Sequence, residues 1–147
     1  MQATEAKMGR VFVLRLEDGD RIPDSIEHFA ALKGIIFGQV ILVGGIRGGQ
    51  VVTGPRYSDQ MPPEPMLLPV DGAHEAMALW VLAPGENGHP VLHIHAALGR
   101  SGQTLTGCLR PGVDTWLIGE IIILELTHVP AKRIKDNVSG FSLLQIL

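Results

Sequence analysis

Two histidines, His93 and His95, stand two residues apart in an apolar run, VLHIHAAL. A β-strand sends alternate side chains to opposite faces of its sheet, so both imidazoles are expected on one face. The GRSG segment that follows is typical of a hairpin turn. A two- or four-residue loop there would place Cys108 opposite His93 and Thr106 opposite His95, with the thiol on the face of the imidazoles.

Two imidazoles and a thiolate on one face predict a metal site. Three nitrogen and sulfur ligands with a vacant fourth position suit Zn²⁺ in a catalytic type of site, and iron, nickel or copper accept the same set. Zinc is therefore the first expectation. In the alternative interpretation the histidines are half-buried polar residues and Cys108 is a small hydrophobic residue of the core. An odd loop length would also turn Cys108 to the opposite face.

Two charged residues interrupt apolar strands elsewhere in the chain. Arg15 lies within the predicted strand Arg10–Leu16, and Glu120 lies within the predicted central strand Trp116–Leu126. A charge that points into a core indicates a buried ion pair or, less often, a substrate-binding group. Glu120 is therefore a candidate catalytic acid or base, and Arg15 is a candidate to bind an anionic ligand.

Length and composition predict one folded domain. The chain has 147 residues, of which 46% are hydrophobic and 18% are charged, enough to form a single core. Its net charge is −3 and its Lys and Arg residues are scattered, so no basic footprint for nucleic acid is visible. A single cysteine excludes an intrachain disulfide, and neither a secretory signal nor a membrane-spanning segment is recognisable. We therefore expect a cytoplasmic protein.

The remaining segments predict an α+β domain with an antiparallel-rich sheet of about eight strands. Residues 1–9 have no period and predict a flexible N-terminus, which leaves 10–147 for the domain. Asp24–Lys33 has helical spacing, with Asp24 as the expected cap and Gly34 as its end. The glycine-rich IRGGQ segment predicts a hairpin, and the proline-rich stretch 55–65 predicts a surface loop. The tail predicts a final hairpin about Asn137 and Gly140.

The order of these segments resembles the plants-and-prokaryotes-conserved (PPC) domain. The likeness covers about residues 10–147 and lies in RLEDGD, GIIFGQVILVGGI, HPVLHIHAALGRSGQTLTGCLRPG and GEIIILEL. Members of that family typically carry Gly-His-Leu where this chain has Gly107, Cys108 and Leu109. Because thiolate is also a zinc ligand, this replacement fits a kept metal site, and it fits an altered or lost site equally well.

The resemblance implies a homotrimer with a metal-type site near its subunit contacts. Arg15 and Glu120 match an arginine and a glutamate of the family, and either could line that site. Plant members carry AT-hook segments, and prokaryotic members are assigned to DNA binding by association. This chain has no AT-hook. Direct DNA binding would therefore need a basic face, for which the candidates are Lys132, Arg133, Lys135 and Arg56.

Three hypotheses about function remain open at this point. The first is a DNA-associated regulatory or scaffold module. The second is a metal-dependent enzyme or small-molecule binder, in which an ion held by His93, His95 and Cys108 activates water or polarises a carbonyl group. The third is a trimerisation unit that binds no metal.

Overall fold

The computed structural model describes residues 1–147 as one helix, α1, and eleven strands, β1–β11. The helix spans Asp24–Lys33. The strands are β1 (Lys7–Glu17), β2 (Arg21–Ile22), β3 (Gly38–Arg47), β4 (Gln50–Pro55), β5 (Pro65–Pro69), β6 (His74–Pro84), β7 (Pro90–Arg100), β8 (Gln103–Leu109), β9 (Val113–Thr127), β10 (Ala131–Lys135) and β11 (Ser142–Ile146). The predicted α+β class is confirmed, with eleven strands instead of about eight. Strand β1 starts three residues before the predicted domain boundary.

The helix has the predicted bounds but a different start. Asp24 makes no capping hydrogen bond, because Pro23 occupies the position before the helix. Gly34 ends the helix in a left-handed conformation with φ 64°, as glycine can without steric cost. Glu27 instead accepts a hydrogen bond of 2.8 Å from the backbone N–H of Leu92. This bond fixes the helix to β7, the strand that carries both histidines.

The larger sheet has the strand order β1-β9-β3-β6-β7-β8-β4-β5, and β2 also pairs with β9. Strand β3 lies between β9 and β6, while β4 lies between β8 and β5, so the hairpin predicted at IRGGQ is wrong. Only Gly48 and Gly49 connect the two strands, with φ angles of 71° and 73°. Because two residues cannot bridge four strand spacings in a flat sheet, the sheet curls back on itself.

The two faces of this sheet differ in burial. The inner face packs against α1 and holds the main core, with Trp80 fully buried at its centre. The other face, here the outer face, carries exposed apolar side chains on β1, β9, β3 and β6. They are Val13, Val43, Met77, Leu79 and Ile122. An exposed apolar patch of this kind is typical of a protein contact surface.

The C-terminal hairpin β10–β11 forms as predicted and covers one end of the outer face. Ala131 packs there against Phe37 and Ala83 in a second, smaller core, with Val81 beside it. Arg133, also from β10, is only 6% exposed. The hairpin therefore buries a charged residue against the sheet.

A bidentate ion pair joins the neighbouring strands β1 and β9. The Arg10 side chain donates hydrogen bonds of 2.7 Å to each carboxylate oxygen of Glu125. These bonds, followed by one from the Arg10 backbone N–H, lower the pKa of Glu125 from 4.5 to about 2. Since the folded-state pKa is depressed, the pair stabilises the fold above about pH 4.5, and this stability is lost as the pH falls toward 2.

We expect Glu125→Gln to lower the free energy of unfolding by about 1–2 kcal/mol at pH 7. Because the Arg10 side chain is half-exposed, the loss should lie at the lower end of the free energies known for hydrogen bonds between charged groups. Urea unfolding at several pH values measures it, and the gap to wild type should close between pH 4.5 and 2. Glu64→Gln is the control, because its pair with Arg56 is exposed on both sides. A gap that persists unchanged at pH 2.5 would contradict this assignment.

Candidate metal centre

The hairpin β7–β8 brings Cys108 beside the histidine strand. Its loop consists of Ser101 and Gly102, with φ angles of 52° and 76°, and Arg100 pairs with Gln103 across it. A tight two-residue turn needs positive φ at both positions, and glycine meets that need without strain. The centre of the loop therefore lies one residue nearer the C-terminus than predicted, and each residue of β7 pairs with a residue of β8 two positions further along.

This loop position changes the predicted partners but keeps the predicted face. Cys108 lies opposite His95, and Thr106 lies opposite Ala97. The expected pairs of Cys108 with His93 and of Thr106 with His95 are therefore wrong. Because the shift equals two residues, the alternation of side chains is preserved, and Cys108 shares the outer face with both histidines.

The two imidazoles lie against each other on the outer face. Their ring centroids are 5.0 Å apart and their planes differ by 14°. Ile94 between them and Ala96 beyond them point into the core, so both histidines face outward and are exposed. Cys108 is partly buried.

Charge and burial favour the neutral form of His93. Its pKa is lowered first by burial, then by the positive charge of Arg133 and by His95. Neutral imidazole is the form that binds metal ions. Within the single chain, however, no group of three His, Cys, Asp or Glu side chains is arranged to hold an ion. A complete centre thus needs a side-chain movement of Cys108 or ligands from outside the chain.

Arg15 and Glu120 lie on the outer face instead of pointing into the core. They face each other on β1 and β9, and Arg15 bonds to Glu17 at 3.3 Å with 65% of its side chain exposed. The interpretation as inward-facing charges is therefore wrong. Three strand spacings separate β9 from β7, a distance of about 14 Å. Neither residue lines the histidine pair of its own chain.

Arg133 is the neighbour of the histidines that the sequence did not indicate. Its Nη2 donates a hydrogen bond of 3.1 Å to the backbone oxygen of Val81, which lies opposite His93. Strand alternation separates it from Lys132 on β10. The sequence feature that could have indicated its burial is this alternation, which places Arg133 on the same side of β10 as the buried Ala131.

The four candidate residues for a DNA-binding basic face differ in exposure and pairing. Arg133 is buried, whereas Lys132 points to the other side of the hairpin. Arg56 is held by Glu64 at 2.8 Å. Lys135 is exposed at the end of β10, so of the four candidates only Lys132 and Lys135 are neither buried nor paired with a carboxylate.

Comparison with known protein families identifies the family of the chain. The profile of the Plants and Prokaryotes Conserved (PCC) domain, the domain also abbreviated PPC, matches residues 3–127. The chain belongs to this family. Among curated proteins no sequence matches the chain. The PCC match includes His93, His95 and Cys108 and ends before Arg133.

Solved structures similar to this PCC chain cover it almost completely. A plant- and prokaryote-conserved protein of Pyrococcus horikoshii has 21% identity, covers 100% of this chain and 99% of its own, and has a TM-score of 0.85. The metal-containing protein of Archaeoglobus fulgidus has 25% identity over 99% of each chain and a TM-score of 0.84. A "putative DNA binding protein" of Bacteroides thetaiotaomicron has 16% identity over 96% of this chain and 97% of its own, with a TM-score of 0.78. The PCC chain has no helix with the length and apolar character needed to cross a bilayer.

Proposed function

We propose that this PCC protein is a homotrimeric metal-binding protein whose ion is held by His93, His95 and Cys108. The observation that carries the proposal is the stacked pair of outward-facing imidazoles with Cys108 across from His95. The similar structure from Archaeoglobus fulgidus is of a protein named as metal-containing. Two imidazoles and a thiolate suit zinc first. A thiolate ligand also suits a reducing compartment such as the cytoplasm.

The exposed apolar outer face supports the assembly. Met77 and Leu79 are 67% and 61% exposed, which is costly for side chains at the centre of a sheet unless another chain covers them. The resemblance of the chain to the PPC domain supports three copies in the assembly. In a trimer, Arg15 and Glu120 of the partner subunit could approach the histidines that they cannot reach within one chain. They would then supply the anion contact and the acid or base.

A zinc ion at this centre would supply a Lewis acid with an open position for water or a carbonyl oxygen. The residues of the chain would keep it in place: His93 and His95 as neutral nitrogen ligands and Cys108 as the charged one. Binding of a small molecule or metal-assisted hydrolysis fits this set. Direct DNA binding is less well supported, because two of the four candidate basic residues are buried or paired with a carboxylate and the chain has a net charge of −3.

Elemental analysis of purified, untagged protein tests the proposal. We expect near-stoichiometric metal in wild type and a loss to about a tenth or less in His95→Ala and Cys108→Ala, since each removes one of three ligands. His74→Ala is the matched control, because His74 begins β6 away from the centre and bonds to its own turn at Gly72. Circular dichroism checks that each variant folds.

Two outcomes would count against the centre. Full metal content in Cys108→Ala would remove the thiolate from the ligand set. Wild-type protein that stays free of metal after reconstitution with zinc, iron or nickel would leave a trimeric scaffold as the better description.

A further inference from the structure

We propose that Arg133 makes this centre a binding site for a small oxyanion, a carboxylate or phosphate group held beside His93. The inference rests on the proposed metal centre and names the class of its ligand. Arg133 lies outside the residues that match the PCC profile. The family match itself therefore assigns no role to Arg133.

The first observation is that the guanidinium of Arg133 is buried and incompletely bonded. Nη2 donates to the backbone oxygen of Val81, whereas the Nε–H is buried without an acceptor. Nη1 makes no hydrogen bond within the chain and, unlike Nε, is not sealed from solvent. A guanidinium carries five N–H donors, and buried donors are normally satisfied. The chain itself therefore leaves most of these donors without an acceptor.

The second observation is that no carboxylate neutralises this charge. The five ion pairs of the chain are made by Arg10, Arg15, Arg21, Arg47 and Arg56. Burial of an unpaired cation is unfavourable, and it lowers the pKa of Arg133. Proteins normally pair such a charge with an anion. Here the chain itself does not provide one.

The third observation is the position of Arg133 next to the histidine pair. The acceptor of its hydrogen bond, Val81, is the direct cross-strand partner of His93. A divalent ion held by two neutral imidazoles and one thiolate keeps one net positive charge, and Arg133 adds a second. An oxyanion would offset this charge, and its oxygens match the planar N–H fork of arginine. Arg15, which the sequence favoured for this role, lies on β1, four strand spacings from β7 on the same face.

Titration of zinc-loaded protein with sodium acetate or sodium phosphate tests the inference, with sodium chloride at equal ionic strength as reference. Backbone amide signals of His93 and His95 and the Nε–H signal of Arg133 report binding by nuclear magnetic resonance. We expect a saturable shift of all three signals. The anion with the lower Kd shows whether the natural ligand carries a carboxylate or a phosphate group.

Variants separate the charge of Arg133 from its packing. Arg133→Gln should weaken binding of the preferred anion at least tenfold while the zinc content stays unchanged, and Arg133→Lys should lose less. Lys132→Gln removes the same charge from the adjacent position of β10 and should leave the Kd within twofold. Equal affinity in Arg133→Gln and wild type would overturn the inference and leave the metal centre standing.

The wild-type spectra decide the matter if Arg133→Gln does not fold. A shift of the Arg133 Nε–H signal with the same Kd as the His93 amide supports the inference, and a constant Nε–H signal overturns it. If zinc does not bind, the proposed function fails by itself. The same titration of metal-free protein then decides the inference, because a saturable shift at Arg133 supports it and no shift refutes it.

Discussion

Replacing Trp80 by alanine is expected to lower the free energy of unfolding by about 3–5 kcal/mol. Trp80 is fully buried in β6, between β3 and β7, at the centre of the inner face. Its indole N–H has no acceptor, so the loss comes from apolar contacts and the cavity that remains. Urea denaturation followed by circular dichroism measures this effect, at one protein concentration because the proposed assembly would also contribute to stability.

Trp116→Ala is the matched control for this prediction. Trp116 is the other tryptophan of the chain, lies in the exposed bulge of β9 and is 38% exposed. Its replacement should cost about 1 kcal/mol or less. The same variant leaves Trp80 as the single tryptophan, whose fluorescence gives an independent probe of the core. Similar losses for both replacements would mean that Trp80 is not the centre of the core.

Leu79→Glu is expected to convert the assembled protein into monomers. Leu79 neighbours Trp80 in sequence but points to the outer face, where it lies between Ile41 and His95. A charge at the centre of an apolar contact loses its hydration without gaining a partner. Sedimentation velocity at micromolar concentration should give about three times the chain mass of 15.8 kDa for wild type and one chain mass for the variant.

Leu32→Glu controls for the added charge. Leu32 is 71% exposed on α1, which packs on the inner side of the sheet. This variant should sediment like wild type. A monomeric wild type, or a Leu79→Glu variant that stays assembled, would show that the outer face is not the contact surface.

Local patterns were sufficient to predict the helix and the shared face of the two histidines. The spacing of Asp24–Lys33 and the glycine at position 34 define α1, and these signals depend only on neighbouring residues. The shared face of His93, His95 and Cys108 follows from alternation, which an error of two residues in the turn leaves unchanged. The face on which each side chain lies was thus predicted correctly, whereas the pairing of residues between strands was not.

Long-range pairing could not be predicted from the same patterns. Strands β3 and β4 are adjacent in sequence, yet each finds its partners elsewhere in the sheet. Arg15 and Glu120 interrupt apolar strands, but alternation alone does not tell which face of a strand becomes the core. Arg133 was grouped with nearby lysines, because only the folded hairpin reveals that it is buried.

The position of the C-terminal hairpin has a consequence for how this protein could diversify. The sheet supplies His93, His95 and Cys108, whereas the charge beside them comes from a separate, terminal segment. If the proposed centre binds an oxyanion, mutations in β10 and β11 can alter the preferred charge and size of that ligand while the strands of the proposed metal ligands keep their sequence. Selectivity and metal chemistry can then evolve at different rates, because they reside on parts of the chain that fold against each other without sharing a strand.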